Sequence, residues 1–355
     1  MPHEHVDPET PEFKAAIEAM RTHLKQMREV MVHFNTTLPN LPQDRQLRDQ
    51  WFEMLSQGAP VFQRMMAAAV AEYQLSPAPA GPLAAMLWET FKHRAGADLY
   101  EGMLPVGQAL VASGYEDPEL HSLTTRTAFA MNDFDAVRKE AVLLAGEEQD
   151  HPQVQNSLEE IDKLKELWTE ELAAREQDAQ GAPLPRVRMK TTKGNIEIEL
   201  FENQAPETVA NFISLVESGF YDGLTFHRVI EHFMAQTGCP IGDGTGGPDY
   251  HIYGEADKPD ARNFFRGTVG MALSGAPNSG GSQFFITFLP AFNLNGSYTA
   301  FGRVTLGMEV LGHLVRVDPD STDEEKKKPD HPLDEIISIE VLTKREHDYK
   351  PHKVE

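Results

Sequence analysis

One arginine and one glutamine stand in a short, mostly apolar stretch, "FHRVIEHFMAQTG", at residues 226–238. Arg228 carries a permanently charged, planar guanidinium, and Gln236 carries a carboxamide that both donates and accepts hydrogen bonds. Phe233 and Met234 lie between them and could hold a flat apolar ring. Taken singly, each of these residues is typical of an ordinary surface or core position. Together they could bind a group with one polar and one apolar side, without a nucleophile.

Composition narrows the classes of function. The chain has 355 residues and a formal net charge of -23, which argues against nucleic acid as the main partner because phosphate-binding surfaces need a basic excess. Its length exceeds the usual span of one hydrophobic core and favours two domains. The single cysteine, Cys239, rules out an internal disulfide and a cysteine-rich metal site. We expect neither a metal nor a cofactor.

No stretch of the sequence approaches the roughly 18 consecutive apolar residues that a membrane span needs. The first residues, "MPHEHVDPET", lack the basic and apolar regions of a secretory signal. We therefore expect a cytoplasmic protein that is not bound to a membrane.

The first half of the chain has a helical period. Apolar residues recur at Phe13, Ile17, Met20, Leu24 and Met27, with spacings of four and three that predict one narrow helical seam. Later segments such as "GPLAAMLWETFKHRA" continue the helical pattern between Pro- and Gly-rich breaks. These patterns predict an all-α domain over residues 1–176.

One segment of this half, "EDPELHSLTTRTAFAMNDFDAVRKEAVLLAGEE", predicts two helices joined by a very short turn. It resembles a degenerate tetratricopeptide hairpin, with small Ala128 and Ala136 at the close approach and Phe134 as an anchor. No clear second copy follows, so a repeat array and a generic helical bundle both stay open.

A last helix, from about Ser157 to Ala179, carries Leu158, Ile161, Leu164, Trp168 and Leu172 on one face and acidic residues on the other. The stretch "EQDAQGAPLP" then breaks the pattern and predicts a linker. The predicted division is a helical domain at 1–176, a linker at 177–185, a second domain at 186–346 and a tail at 347–355.

After the linker the apolar period changes to two. The segment "RVRMKTTKGNIEIELF" predicts a β-hairpin with its turn at Lys193 and Gly194. Pro206 begins a helix, and further short strands follow up to "DEIISIEVL". Many short strands, two helices and frequent glycine predict a small closed barrel capped by helices.

Residues from about 186 to 343 resemble a cyclophilin, a peptidyl-prolyl cis/trans isomerase. The resemblance is carried by "FHRVI", "FMAQTG", "GDGTGGPDYHIYGE", "GTVGMA", "PNSGGSQFFIT" and "AFGRV", which occur in the family's order. It implies a mainly-β, closed eight-stranded antiparallel barrel with a helix at each end and an active groove on the outer face. The expected multidomain chain therefore joins an all-α half to this barrel.

The resemblance also implies the site. Arg228 would contact the carbonyl before proline, and Gln236 would orient Arg228 or that carbonyl. The remaining expected substrate-binding residues are the proline pocket of Phe233, Met234, Phe285 and Leu294, its cover Tyr298, the hydrogen-bonding Gln283, and the subsite before proline at Ala272 and Leu273.

Three positions depart from the family pattern. Asn293, or Phe292 if the alignment slips by one, stands where many cyclophilins have tryptophan, which should weaken cyclosporin-type binding. Tyr298 replaces a frequent histidine. Leu273 replaces a usual asparagine beside an apparent insertion in "LSGAPN", so the subsite before proline differs from the family's.

The sequence favours an isomerase that acts on Xaa-Pro bonds of peptides and flexible proteins and assists folding. The helical half would bind clients or a protein partner. The alternative is an adaptor that binds proline-containing segments without turnover, and an intact Arg228 favours the enzyme.

Overall fold

The computed structural model of the protein describes residues 10–37, 45–144, 158 and 160–354. The chain divides into two compact units, 1–158 and 159–355. Within the described ranges, no helix combines the length and the apolar character that a bilayer span requires.

The first unit is helical. Aromatic residues form much of its core, with Trp88 and Phe91 packed edge to face at 6.1 Å between ring centroids. Thr10, at the start of the first helix, donates a 2.7 Å hydrogen bond from Oγ1 to Oε2 of the buried Glu72 on the second. Its helices are α1 (Pro11–Thr37), α2 (Arg45–Leu75), α3 (Pro82–Gly96), α4 (Leu104–Ser113), α5 (Leu120–Ala130) and α6 (Phe134–Ala141).

Helices α5 and α6 form the hairpin that the sequence predicts. Asn132 adopts a left-handed conformation with φ of 60° in the turn between them. Asp133 caps α6 by accepting a 3.0 Å hydrogen bond from the amide of Ala136. Ala128 and Ala136 are buried at this junction.

The second unit contains eight strands, and every strand pairing is antiparallel. Its strands are β1 (Arg186–Thr191), β2 (Gly194–Leu200), β3 (Arg228–Ile230), β4 (Met234–Thr237), β5 (Thr268–Met271), β6 (Phe284–Thr287), β7 (Ala300–Leu306) and β8 (Ile336–Thr343). Its helices are α7 (Ile161–Gln180), α8 (Pro206–Glu217), α9 (Met308–Gly312) and α10 (Glu324–Lys327), with one 3-10 turn at Phe292–Leu294.

The strands lie in the order β3-β4-β6-β5-β7-β2-β1-β8. Strands β1 and β2 alternate between buried and half-buried residues, as the period of two predicts. Their buried side chains meet the apolar face of α8, which includes Val209, Phe212 and Ile213, in one core. Val310 and Leu311 of α9 join the same core.

The sheet is open, whereas the sequence predicted a closed barrel. Strands β3 and β8 are its edges and do not form a ladder with each other. The outer edge of the three-residue β3 is occupied instead by Val317, which exchanges backbone hydrogen bonds of 2.7 and 3.0 Å with Val229. The stretch before β3 reaches the start of β8, where Gly223 and Leu224 form backbone hydrogen bonds with Ile336, and Thr225 forms an isolated bridge with the preceding Glu335.

Helix α7 belongs to the second unit, although the sequence assigned most of it to the helical domain at 1–176. Charged residues hold α7 on this unit, since Glu171 of α7 accepts two hydrogen bonds from Arg262. The segment after β8, which the sequence described as a tail, packs on the same unit. Tyr349 donates a 2.9 Å hydrogen bond to Glu202, and its burial raises the pKa of the phenol to about 12.

Candidate active site

A row of side chains crosses the outer face of the sheet. Arg228 of β3 pairs with Gln236 of β4, Gln236 pairs with Phe285 of β6, and Phe285 pairs with Gly270 of β5. Directly opposed residues in antiparallel strands share one face. These four positions, Arg228, Gln236, Phe285 and Gly270, are called the outer row below.

The neighbouring row shows which face this is. Val229, Ala235, Ile286 and Val269 pair with one another across the same four strands, and all four lie in the main core. Because successive residues of a strand point to opposite faces, the outer row points away from that core. The sequence therefore places a cation, a carboxamide and an aromatic ring side by side on the side of the sheet opposite the main core.

Arg228 is half-buried, with 30% of its side chain exposed. Its Nε lies 3.4 Å from Oδ2 of Asp320, an exposed residue of the segment between α9 and α10. The preceding His227 is buried, and burial, assisted by the positive charge of Arg228, lowers the pKa of its imidazole. At neutral pH His227 is therefore a neutral support and adds no second positive charge at this position.

Gln236 and Gln283 are joined directly. Gln236 donates from Nε2 to Oε1 of Gln283 at 3.0 Å, and Gln283 donates from its own Nε2 to the carbonyl oxygens of Gly244 and Gly246, each at 2.8 Å. Backbone carbonyls therefore fix the orientation of both carboxamides. The loop that supplies them, residues 239–246, is called the glycine loop below.

Cys239 and Asp243 hold the glycine loop. The amide of Gly246 donates to Sγ of Cys239 at 3.2 Å, and Oδ1 of Asp243 accepts from the amide and the hydroxyl of Thr245 at 2.8 and 2.6 Å. Burial alone would raise the pKa of the Cys239 thiol, but the surrounding backbone N–H groups outweigh it and lower the pKa. Hydrogen bonds from Thr245 lower the pKa of Asp243.

An apolar cluster adjoins the outer row and is called the aromatic pocket. Phe285 lies at its centre, with the ring of Phe264 stacked at 5.6 Å and the ring of Tyr298 edge-on at 5.7 Å. The cluster brings together Phe233, Met234, Ala272, Phe285, Leu294 and Tyr298, all of them expected from the sequence, with Ile230, Phe264, Ala291 and Ala300.

Sequence reasoning missed Phe264 and Gly270. A Cβ added to Gly270 would lie 2.4 Å from Phe285 and 2.6 Å from Phe264, so only glycine leaves room for the stacked rings. Phe264 is fixed from behind, because its amide donates to Oδ1 of Asn295 and its carbonyl accepts from Ala291. A glycine inside the strand sequence "TVGM" is the signal of close approach that could have located this contact.

The two residues predicted to line the subsite before proline, Ala272 and Leu273, face different regions. Ala272 packs on the aromatic pocket, and its amide donates to the carbonyl of Gln283 at 2.9 Å. Leu273 lines a second cavity of about 570 Å³. Tyr298 belongs to the aromatic pocket and also lines this cavity, so the cavity adjoins the aromatic pocket.

Phe292 and Asn293 stand at the edge of the aromatic pocket. Asn293 is exposed, whereas Phe292 packs edge to face on Phe265 at 5.2 Å. The ring of Phe292 therefore packs on Phe265. The exposed side chain at the edge of the aromatic pocket is the small carboxamide of Asn293.

The arrangement suits a neutral, elongated ligand with an apolar ring. Arg228 and Gln236 can act on a polar group, while the aromatic pocket holds the ring beside it. The outer row itself offers no nucleophile and no titratable acid or base. It can act by stabilising one conformation of a bound group over another.

Comparison with known proteins agrees with this geometry. A family model described as cyclophilin type peptidyl-prolyl cis-trans isomerase/CLD matches residues 186–341. A curated peptidyl-prolyl cis-trans isomerase of Helicobacter pylori is 47% identical over 133 residues, which are 37% of this chain and 80% of that protein. Peptidyl-prolyl cis-trans isomerase B of Bacillus subtilis is 53% identical over 123 residues, 35% of this chain and 85% of that protein.

Among solved structures, a cyclophilin-type peptidyl-prolyl cis-trans isomerase from Cryptosporidium parvum is 33% identical. It aligns with a TM-score of 0.40 and covers 46% of this chain and 99% of its own. The family match includes the outer row and the aromatic pocket, and it leaves out α7 and the residues after 341.

Proposed function

The chain belongs to the cyclophilin-type peptidyl-prolyl cis-trans isomerases, and we propose that Arg228 is its catalytic residue and the aromatic pocket its proline site. The observation that carries this assignment is the outer row, in which Arg228, Gln236 and Phe285 are cross-strand neighbours. This row supports the proposal because Arg228 is separated from Phe285, at the centre of the aromatic pocket, by a single strand.

The reaction needs stabilisation and no bond cleavage. Rotation about an Xaa-Pro bond is opposed by the partial double bond of the amide, a barrier of about 20 kcal/mol. In the twisted amide the nitrogen loses conjugation and becomes a hydrogen-bond acceptor. A guanidinium beside the prolyl amide strengthens its interaction in that state, and about 4 kcal/mol of such differential stabilisation gives a rate gain of about 1000-fold.

The other site residues hold the peptide while one side of it turns. Phe233, Met234, Phe285 and Leu294 enclose the proline ring, and Tyr298 covers it. Gln236 and Gln283 hydrogen-bond to the substrate backbone, supported by their own bond and by the carbonyls of the glycine loop. Ala272 and Leu273 contact the residues before proline.

In this proposal the helical unit binds the proteins on which the isomerase acts, or a protein partner. The α5–α6 hairpin resembles one tetratricopeptide repeat, a class of helical pair that offers surfaces for peptides. We assign it the binding of clients or of a protein partner, so that the isomerase assists folding. The charge of -23 argues against a nucleic-acid partner, and the single buried Cys239 suits the reducing cytoplasm.

The test is turnover by the full chain. Two-dimensional exchange NMR on a short peptide with one Ala-Pro bond measures cis/trans interconversion directly, without a coupled protease. We expect enzyme-dependent exchange cross-peaks at catalytic amounts of protein. Binding of the peptide without acceleration of its exchange would instead establish the adaptor, the second function that the sequence left open.

A further inference from the structure

Helix α7 lies outside the region that matches the family, yet it packs on a segment of the isomerase unit, residues 262–266. The half-buried Trp168 contacts Phe265 with ring centroids 4.9 Å apart. The guanidinium of Arg175 covers Trp168 at 4.8 Å from its ring. An aromatic side chain of α7 is thereby fixed against the segment that carries Phe264.

A buried charge cluster anchors the same segment. Arg262 and Glu171 each expose only 4% of their side chains. Arg262 donates from Nε and Nη2 to the two carboxylate oxygens of Glu171, both at 2.9 Å, and from Nη1 to Asp178 at 2.8 Å. Two parallel hydrogen bonds between planar groups fix orientation as well as distance. Removal of the Glu171 charge would leave Arg262 buried with Asp178 as its remaining anion in this cluster, at a cost in free energy because the guanidinium stays largely out of water.

The anchored segment continues into the wall of the aromatic pocket. Phe264 stacks on Phe285, and the adjacent Phe265 packs between Trp168 and Phe292. Phe292 begins the 3-10 turn that ends at Leu294. Trp168 of α7 thus packs on Phe265, the chain neighbour of Phe264, and through Phe265 reaches Phe292, which lies in the same 3-10 turn as Leu294.

We propose that α7 supports the proline pocket, with Trp168 and Glu171 as positioning residues that fix Phe264 and Leu294. The proposal rests on the assignment of the aromatic pocket as the proline site. Trp168 acts through Phe265 and Phe292, and Glu171 acts through Arg262. Two strands, β4 and β6, separate β3, which carries Arg228, from β5, so loosening this wall weakens substrate binding and leaves the catalytic cation in place.

Because the pocket wall and Arg228 are separate, changes in α7 should affect KM more than kcat. In the full-length Trp168→Ala variant, KM for an Xaa-Pro peptide rises about fivefold, while kcat stays within about twofold of the parent value. Trp168→Phe, which keeps an aromatic ring against Phe265, restores KM to near the parent value. Leu172→Ala is the matched control, because Leu172 lies on the same helix with 48% of its surface exposed, and it leaves both parameters unchanged.

A second variant covers the case in which Trp168→Ala fails to fold. Glu171→Gln keeps the shape of the side chain and removes its charge, and it raises KM about threefold by the same route. Methyl NMR of Leu294 supplies a direct readout, with a shifted resonance in Trp168→Ala and Glu171→Gln and a resonance close to that of the parent in Trp168→Phe and Leu172→Ala.

An unchanged KM in folded Trp168→Ala or Glu171→Gln would overturn the proposal, and so would an equal rise in Leu172→Ala. These outcomes are distinct from failure of the proposed function. In that case the parent protein itself would not accelerate exchange of the peptide.

Discussion

The side chain of Gln236 donates a 3.0 Å hydrogen bond to Oε1 of Gln283, and Gln236 is also the cross-strand partner of Arg228. From Gln283 the connection continues to the carbonyl of Gly246, whose amide donates to Sγ of Cys239. A short chain of hydrogen bonds thus joins Cys239 to the cross-strand neighbour of Arg228, the residue proposed to be catalytic. Because the Gln283 carboxamide is fixed by two backbone carbonyls, its bond to Gln236 limits the orientations available to the Gln236 side chain.

Arg228→Ala should lower kcat/KM for an Ala-Pro peptide by at least about tenfold, and by up to about 1000-fold if the guanidinium supplies about 4 kcal/mol. Arg228→Lys should recover only part of the loss, because an ammonium lacks the planar, multiple-donor geometry. Exchange NMR measures the rates, and circular dichroism checks the fold. Lys350→Ala, a change of an exposed cation, is the control, and parent-level turnover in Arg228→Ala would refute the role.

Cys239→Ala should lower kcat/KM about threefold, because the amide of Gly246 loses its acceptor and the glycine loop no longer fixes Gln283. Cys239→Ser keeps an acceptor at the same position and should lose less activity. Steady-state assays on the two variants, with the loop resonances followed by NMR, make the comparison. Equal losses in both variants would show that the volume of the sulfur matters here and its hydrogen bond does not.

Gly270→Ala should destabilise the protein by about 1–3 kcal/mol and reduce activity, because the new methyl group overlaps the stacked rings of Phe264 and Phe285. Urea unfolding and peptide turnover are the measurements. Gly247→Ala is the matched control, since the nearest atom to its added Cβ is 4.0 Å away. A stable and fully active Gly270→Ala protein would mean that the two rings can separate at no cost.

Glu171 should make the second unit sensitive to acid. Burial alone would raise the pKa of Glu171, but hydrogen bonds and charge from Arg262 outweigh it, so the pKa is lowered below its usual 4.5. A carboxylate with a depressed folded-state pKa contributes stability above the unfolded-state pKa, and that stability is lost as pH falls through the folded-state value.

The comparison that isolates this effect is parent against Glu171→Gln in urea unfolding at several pH values from 7 down to 3. The parent should be more stable near neutral pH, and the difference should shrink as the pH falls below about 4.5. A difference that stays constant over this range would show that the ionisation of Glu171 does not contribute.

The sequence predicted which residues come together on the outer face of the sheet better than it predicted the structure around them. Strand alternation and the family's blocks located Arg228, Gln236 and Phe285, because local period and motif order decide which residues share a face. The open edge of the sheet could not be predicted, since it depends on Val317 reaching Val229 from a distant part of the chain. Backbone hydrogen bonds between residues so far apart in the chain produce no pattern in the local sequence.

In helix α7, too, contacts with distant parts of the chain make the structure differ from the sequence prediction. Hydropathy assigned Leu172 to the packed face and the acidic residues to solvent. In the structure Leu172 is 48% exposed and Glu171 is buried. Glu171 is compensated by Arg262, 91 positions away in the chain. Charge pairing across such a distance reverses the outcome that apolar spacing predicts.

The contact between Arg262 and α7 affects how this catalytic module can be excised or grafted. A recombinant fragment trimmed to residues 186–341, where the family match begins and ends, would retain the guanidinium and discard both of its anions. Such a fragment would also expose Phe265, which Trp168 contacts in the full chain, so it should be poorly soluble even with an intact groove. A fragment that includes α7 should be more soluble. For this enzyme the fragment that can be moved as a stable unit must include α7, and it is therefore larger than the region that matches the family.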